Sequence, residues 1–254
     1  MLFRGTVGMK RIVTQLIAAI VQIVFLHAAI AAGADGRQDD TTRRLVAHVI
    51  AAYGGEKAIE SVKGIHAVGE ISALMRGDRG TYEYFFQRPG KLRVETKYQR
   101  SSETRILNNG RGYRGADAQP PSEVTGPKLL AMVYQYKHID LLYDLLKGTY
   151  SVSRRGRESI QGNPADVLHL ADSEGPPMDV AVDAKTFYIV RVTGYFKMGE
   201  GETSLSSEFS EFRKTGGAVL PYRIVNYAGG QKIAETVMKT YEVNPALPGT
   251  LFMP

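Results

Sequence analysis

From Ile65 onward, apolar residues recur at every second position, and this alternation constrains the fold more than any other feature of the chain. Ile65, Ala67, Gly69, Ile71, Ala73 and Met75 alternate with His66, Glu70, Ser72 and Arg76, while Val68 and Leu74 break the polar side. A period of two sends one set of side chains to a core and the other to solvent, which describes a half-buried strand. The pattern continues through Thr81–Arg88 and Lys91–Tyr98, joined at Pro89-Gly90, and through Glu103–Leu107. A Gly- and Pro-rich loop then runs to about Pro121. Strands return at 150–159, 165–172, 178–183, 187–196, 205–213, 218–227 and 231–243, separated by turns such as Gln161-Gly162-Asn163-Pro164 and Gly229-Gly230. That makes about eleven strands with tight turns. Helices do not alternate with single strands, so a parallel α/β fold is excluded.

Helical spacing appears in three places. Asp39-Asp40-Thr41-Thr42 offers N-cap candidates, and Leu45, Val46, Val49, Ile50 and Tyr53 then share one helix face until Gly54-Gly55. A short helical turn is predicted over Glu56–Val62. Between the two sets of strands lies Lys128–Lys147, a long helix whose apolar residues include Leu129, Leu130, Val133, Tyr136, Leu141, Leu142, Leu145 and Leu146. Such a helix must be buried on much of its circumference, and a bend is expected near Lys137-His138. The fold class is therefore mainly antiparallel β with a few helices (α+β). It is expected as a single large curved sheet, or half-open β-barrel, of about eleven strands closed by helices.

Residues 1–34 stand apart from this pattern. Arg4, Lys10 and Arg11 precede an apolar stretch, Ile12 to Ile30, that ends in Ala31-Ala32-Gly33-Ala34, with no acid throughout. This is the pattern of a secretory signal peptide, with Ala29-Ile30-Ala31 as a cleavage tripeptide. The competing reading is an uncleaved membrane anchor, although Gln15, Gln22 and His27 make a poor span. Either way a single domain, 35–254, is expected outside the cytoplasm, in the periplasm. The segment also carries half of the chain's formal +6. The remaining +3 makes no strong claim on nucleic acid. The chain has no Cys, which excludes disulfide scaffolds, thiol nucleophiles and Cys-ligated metals. It also excludes lipid attachment at a bacterial lipoprotein cysteine.

Candidate chemical motifs are weak. Gly110-Arg111-Gly112-Tyr113-Arg114-Gly115 matches G-x-G-x-x-G, but a dinucleotide site needs a helix to begin there, and Ala116–Pro121 cannot supply one. A hairpin loop is expected instead. His48, His66, His138 and His169 have no metal-ligand spacing; a pair formed in space by His66 and His169 is the remaining option, against surface or packed histidines. No G-x-S-x-G, H-E-x-x-H or close acid pair occurs. No catalytic residue, metal or cofactor is predicted. Arg154, Arg155 and Arg157 form a basic cluster, read as a solvated strand end, with a face toward anionic lipid as the alternative. The 14 Tyr and 9 Phe fall largely on strands. They form either core or the wall of a lipophilic cavity.

Several local sequences resemble the LolA/LolB-like lipoprotein-carrier superfamily, in the manner of periplasmic outer membrane lipoprotein-sorting proteins. Pro89-Gly90-Lys91-Leu92-Arg93-Val94 resembles its P-x-K-x-R-apolar strand opening, and Asn109–Tyr113 the turn that follows. Gln161–Leu170 resembles its G-x-x-x-x-x-L-x-L strand. Ala181–Thr186 resembles an apolar-D-x-x-T turn, and Val243-Asn244-Pro245 with Leu251–Pro254 resembles the closing V-N-x…F-x-P. Tyr53-Gly54-Gly55-Glu56-Lys57-Ala58 is similar to the helical start of sorting-protein sequences. The resemblance spans about residues 42–254. It implies a half-barrel closed by helices around an apolar cavity for acyl chains, with neither catalysis nor metal.

The expected ligand cavity has Tyr82, Tyr84, Phe86, Leu92, Val94, Leu168, Leu170, Val180 and Val182 on the concave sheet face. Leu129, Val133 and Leu142 would line it from the helix, which moves aside for cargo. The implied function is a non-catalytic carrier of lipid or lipoprotein acyl chains, partnered by an envelope transporter or membrane receptor. The alternative is a periplasmic sensor or scaffold of the same fold that binds a partner protein.

Overall fold

The computed structural model describes residues 40–172, 175–198 and 201–254. The segment read at 1–34 as an export signal lies outside the described residues. The chain divides into two units, Met1–Arg44 and Leu45–Pro254. Residues 40–44, the described part of the first, are helical, and Arg43 pairs with Asp40.

The second unit opens with helix α1, 45–52, and helix α2, Gly55–Ser61. Gly54 separates them at φ 97°, and a Cβ there would lie 2.9 Å from that of Ala58. Only glycine fits this junction comfortably. Six strands follow: β1 (Gly64–Ala73), β2 (Asp78–Gln87), β3 (Lys91–Tyr98), β4 (Ser102–Asn108), β5 (Arg111–Ala116) and β6 (Ser122–Val124). Helix α3, Gly126–Lys147, is helical without a break through Lys137-His138. Seven more strands complete the unit: β7 (Ser151–Ile160), β8 (Asn163–Ala171), β9 (Met178–Asp183), β10 (Ile189–Met198), β11 (Gly201–Thr215), β12 (Ala218–Ala228) and β13 (Gln231–Val243). A 3-10 turn, Gly249–Phe252, ends it.

All thirteen strands form one sheet, ordered β6-β5-β4-β3-β2-β1-β13-β12-β11-β10-β9-β8-β7. Every described pairing is antiparallel; the first meander runs outward from the centre and the second runs inward from the far edge back to it, where β1 pairs with β13 (Ile65 opposite Val243). The sheet is curved and stays open, with β6 and β7 at opposite edges. Two strands more than the sequence pattern suggested arise from the stretch read as a Gly/Pro-rich loop. Asn109-Gly110 turns the chain with both φ positive (47° and 83°), and Asn108 pairs with Arg111 across it. β5 then runs through Gly112 and Gly115, and β6 pairs along it at Gly112↔Val124.

Because α3 joins β6 to β7, it connects the two edges of the sheet. It touches β4 and β5 on one wing and β10 on the other. From Leu129 through Leu146, no residue of the helix is fully exposed. Its underside separates two apolar cores. One contains Tyr134, Leu141 and Leu145 with Leu168, Leu170, Val180, Val182 and Val192. The other contains Met132 with Tyr84, Phe86, Leu92, Val94 and Tyr241.

The residues that carry the family resemblance have local structural roles. Asn244 Oδ1 accepts hydrogen bonds from the Lys63 and Gly64 N–H groups at 2.6 and 3.2 Å, and its Nδ2 donates to Ser61 O at 2.8 Å. That side chain ties the end of β13 to the α2–β1 junction. Asp183 Oδ1 accepts from the Lys185 and Thr186 N–H groups and from Thr186 Oγ1, closing the β9–β10 turn. Phe252 is fully buried and the turn that holds it packs on β3 and β4. Tyr53 Oη accepts from the Ile189 N–H at 3.1 Å.

Candidate functional site

Alternation along each strand decides which side chains meet α3, and the helix decides which of these stay uncovered. A cavity of about 110 Å³ lies at the seam between the two cores. Its roof is α3, through His138, Ile139, Leu141 and Leu142. One wall is Ile65, Tyr82 and Tyr84 from β1 and β2, and the opposite wall is Ile189, Val192, Phe209 and Ile224 from β10 to β12. A second, broader groove of about 1300 Å³ follows α3 along Leu129, Leu130, Val133, Tyr136 and Tyr143 toward Pro89 and Leu107.

The twelve residues expected to line one cavity are therefore divided. Tyr82, Tyr84 and Leu142 face the seam cavity. Leu129 and Val133 line the broader groove. Phe86, Leu92, Val94, Leu168, Leu170, Val180 and Val182 are at most 2% exposed and lie within the two packed cores. Full burial of each such side chain stabilises the fold by ~1.5–3 kcal/mol. Sequence reading did not single out Ile65, Ile224, Phe209 or His138 for the cavity. For Ile65, Ile224 and Phe209 the strand parity was visible, but their distance from α3 was not; for His138 the face of α3 that borders the void was not.

Polar groups near the cavity are few and differ in how they are satisfied. The Tyr241 hydroxyl donates to Pro221 O at 2.6 Å, and Gln135 Nε2 donates to the Tyr82 hydroxyl at 3.2 Å. Gln135 Oε1 and His138 Nδ1 are buried without a hydrogen-bond partner among the described residues. Burial pushes the His138 imidazole down to about 4, so it is neutral near pH 7. The same loss of hydration pushes the Tyr82 and Tyr84 hydroxyls up.

The other side of α3 carries an ionic network that the sequence disguised as ordinary polar punctuation. Lys137, Asp140 and Asp144 sit at i, i+3 and i+7, on one helix stripe. Lys137 Nζ lies 2.9 Å from Asp172 and 3.6 Å from Asp144. Arg88 Nη1 donates to Val62 O and Ile59 O, and its guanidinium stacks 4.0 Å over the Tyr143 ring. Tyr136 donates to Asp140 at 3.0 Å and accepts from the Gly90 N–H at 2.8 Å. Burial raises Asp140 to about 6 against the pull of Arg88, and raises Asp144 as well. These groups clamp α3 to the β2–β3 turn and to the start of the β8–β9 connection.

The two histidines considered for a metal are not brought together. His66 bonds Glu83 at 2.7 Å and stacks on Phe85, while His169 bonds Asp179 at 2.7 Å. The basic cluster on β7 is partly neutralised: Arg154 and Arg157 both pair with Asp166, and Arg155 pairs with Asp179.

An open antiparallel sheet bridged from edge to edge by a buried helix is the LolA-like fold, and solved structures bear this out. A DUF1329 family protein from Desulfovibrio piger superposes with a TM-score of 0.55 at 13% identity, covering 83% of this chain and 96% of that one. A domain described as an outer membrane lipoprotein-sorting protein from Vibrio parahaemolyticus gives 0.54 at 11% identity, covering 84% and 97%. A LolA superfamily protein from Nitrosomonas europaea gives 0.51 at 16% identity, covering 78% and 94%. At these identities the likeness is one of fold. No family model matches the chain. No curated protein matches it in sequence.

Proposed function

We propose that this protein is an exported, non-catalytic carrier that shields the acyl chains of a lipid or lipoprotein in the cell envelope. The observation that carries the reading is the apolar cavity left at the seam of two packed cores under a single bridging helix. The likeness to a sorting-protein domain and to a LolA superfamily protein supports it, as does the signal-like segment at 1–34.

The size of the cavity sets the mechanism. A cavity of ~150 Å³ accepts benzene, and this one measures about 110 Å³. A long alkyl chain therefore enters only when α3 shifts. The helix is flanked by glycines with left-handed backbone at both ends, Gly126 at φ 59° and Gly148 at φ 67°. Its displacement would join the seam cavity to the broader groove on its other side. Each methylene then moved from water to the interior contributes ~0.8 kcal/mol, which offsets the contacts α3 gives up.

Native mass spectrometry of protein purified from its own envelope is the test. A co-purified lipid, together with uptake of a fluorescent fatty acid by the delipidated protein, is the expected result. The small cavity also favours a second reading, a scaffold of the same fold with a closed core that binds a partner protein. Absence of any alkyl ligand, with a protein partner retained, would select it. Export has its own test: N-terminal sequencing of the mature protein should begin between Ala32 and Gly36.

A further inference from the structure

One stripe of α3 runs from the surface into the seam cavity. Lys128, Ala131 and Met132 line a third recess, of about 340 Å³, near the helix N-terminus, while His138, Ile139 and Leu142 roof the cavity. Gln135 lies between them and bonds Tyr82, itself a cavity residue. From Lys128 to Leu142 the rise is ~21 Å at 1.5 Å per residue, a span suited to a single alkyl chain.

The recess has an uneven charge. Arg105, Arg114 and Lys128 stand at its rim against one acid, Glu103. Both arginines share that carboxylate, at 3.0 and 2.7 Å. Lys128 is exposed and makes no ion pair among the described residues. Two positive charges thus remain uncompensated beside an apolar floor of Met132, Phe196 and Leu205. Arg105 also opposes the effect of burial on the Tyr82 hydroxyl, so its field reaches the cavity wall. A cationic rim beside an apolar floor, on the helix stripe that leads past Gln135 to the apolar seam cavity, matches an anionic head followed by an alkyl chain.

We propose that the ligand is a single-chain amphiphile with an anionic head, a carboxylate or phosphate, held by Arg105, Arg114 and Lys128 with its chain along the α3 stripe. This deepens the lipid-binding reading and rests on it. Attraction between fixed cations and an anionic head is partly screened at this exposed rim, so the head sets selectivity and the chain supplies most of the affinity.

The test uses the full chain and two ligands with the same alkyl tail, hexadecyl phosphate and hexadecyl phosphocholine, whose heads differ in net charge. The phosphate is expected to bind ~10-fold tighter at low salt, with the difference shrinking as salt rises. Lys128→Gln with Arg114→Gln should remove that preference while the circular dichroism melt stays in place, and Lys128→Glu with Arg114→Gln, which leaves the rim net negative, should reverse it. Palmitate and palmitoyl lysophosphatidylglycerol then distinguish a free acid from a lipid headgroup as the source of the charge. Equal affinity for the two heads would overturn this inference and leave the carrier reading standing. Failure of both to bind would overturn the two together. Competition by inorganic phosphate as effective as that by hexadecyl phosphate would also overturn it, since the chain would then play no part.

Discussion

Arg88 Nε donates to Asp140 Oδ1 at 2.5 Å, fastening the β2–β3 turn to the middle of α3. Their side chains are only 12% and 5% exposed, so neither charge is well hydrated alone. Removing one partner leaves the other buried and unpaired, which is the costly way to break an ion pair. Arg88→Met should destabilise the protein by ~3–5 kcal/mol in urea melts, and the double change Arg88→Met/Asp140→Leu should recover part of the loss. A single-variant loss below ~1 kcal/mol, the range of a solvated surface pair, would show that the clamp is not structural.

His138 and Asp140 should give stability opposite pH dependences. The imidazole falls to about 4 when folded, from an ordinary 6.5. Between those values the unfolded chain binds more protons, so stability is complete above pH 6.5 and is lost as pH falls toward 4. At ~1.4 kcal/mol per unit, the loss is at most ~3.5 kcal/mol. Asp140 rises to about 6 from 3.8, so the folded state binds more protons there and its contribution increases as pH falls through that window. His138→Phe should flatten the acid-side loss measured by denaturant melts from pH 7 to 4, and Asp140→Asn should steepen it. A His138→Phe profile parallel to wild type would mean that the ring is hydrated in solution.

The α3 helix should open more readily than the strands beneath it. Its polar stripe already carries Lys137, Asp140 and Asp144, which gain hydration on opening, whereas β8 to β10 hold fully buried aliphatic side chains. Hydrogen exchange should show weaker protection at 128–147 than at 165–192, with an alkyl ligand changing the helix most. Equal protection in both regions, unmoved by any lipid, would make α3 plain core and favour the scaffold reading.

How much of this was legible in the sequence depends on whether a feature is local. The alternation of Ile65, Ala67 and Ile71 with His66 and Glu70 marked the inward face of β1 correctly, because the pleat enforces it. β5 escaped detection because its inward face carries Gly112 and then Arg114, and no large apolar side chain marks it. At Gly112 a Cβ would come within 2.8 Å of Leu129 Cδ1, so α3 packs closely over the strand where it has no side chain. The Asn109-Gly110 dipeptide was the available signal, since it favours the positive φ angles of a tight hairpin. The candidate site was harder to read. Tyr82 and Leu168 both point inward by parity, yet one borders a void and the other is sealed. That difference arises from where the α3 side chains fall, which no strand pattern records.

Filling the void should separate ligand binding from folding. Ile224 borders the seam cavity and is partly exposed to it, so a larger ring has about 110 Å³ to enter. Ile224→Phe should keep or slightly raise the melting temperature, because filling an existing cavity restores missing contacts. It should also weaken uptake of a fluorescent fatty acid by ~10-fold or more, equivalent to ~1.4 kcal/mol. Val94 provides the contrast. It is 1% exposed, packs in the second core and does not border the void. Val94→Ala should cost ~1–3 kcal/mol in stability through the small cavity it creates, while uptake by the folded fraction persists. Val94→Asp would bury an unpaired carboxylate and prevent folding altogether. If Ile224→Phe takes up the probe as well as wild type does, while Val94→Ala does not, the ligand lies among the strands of the second core and not at the seam beneath α3.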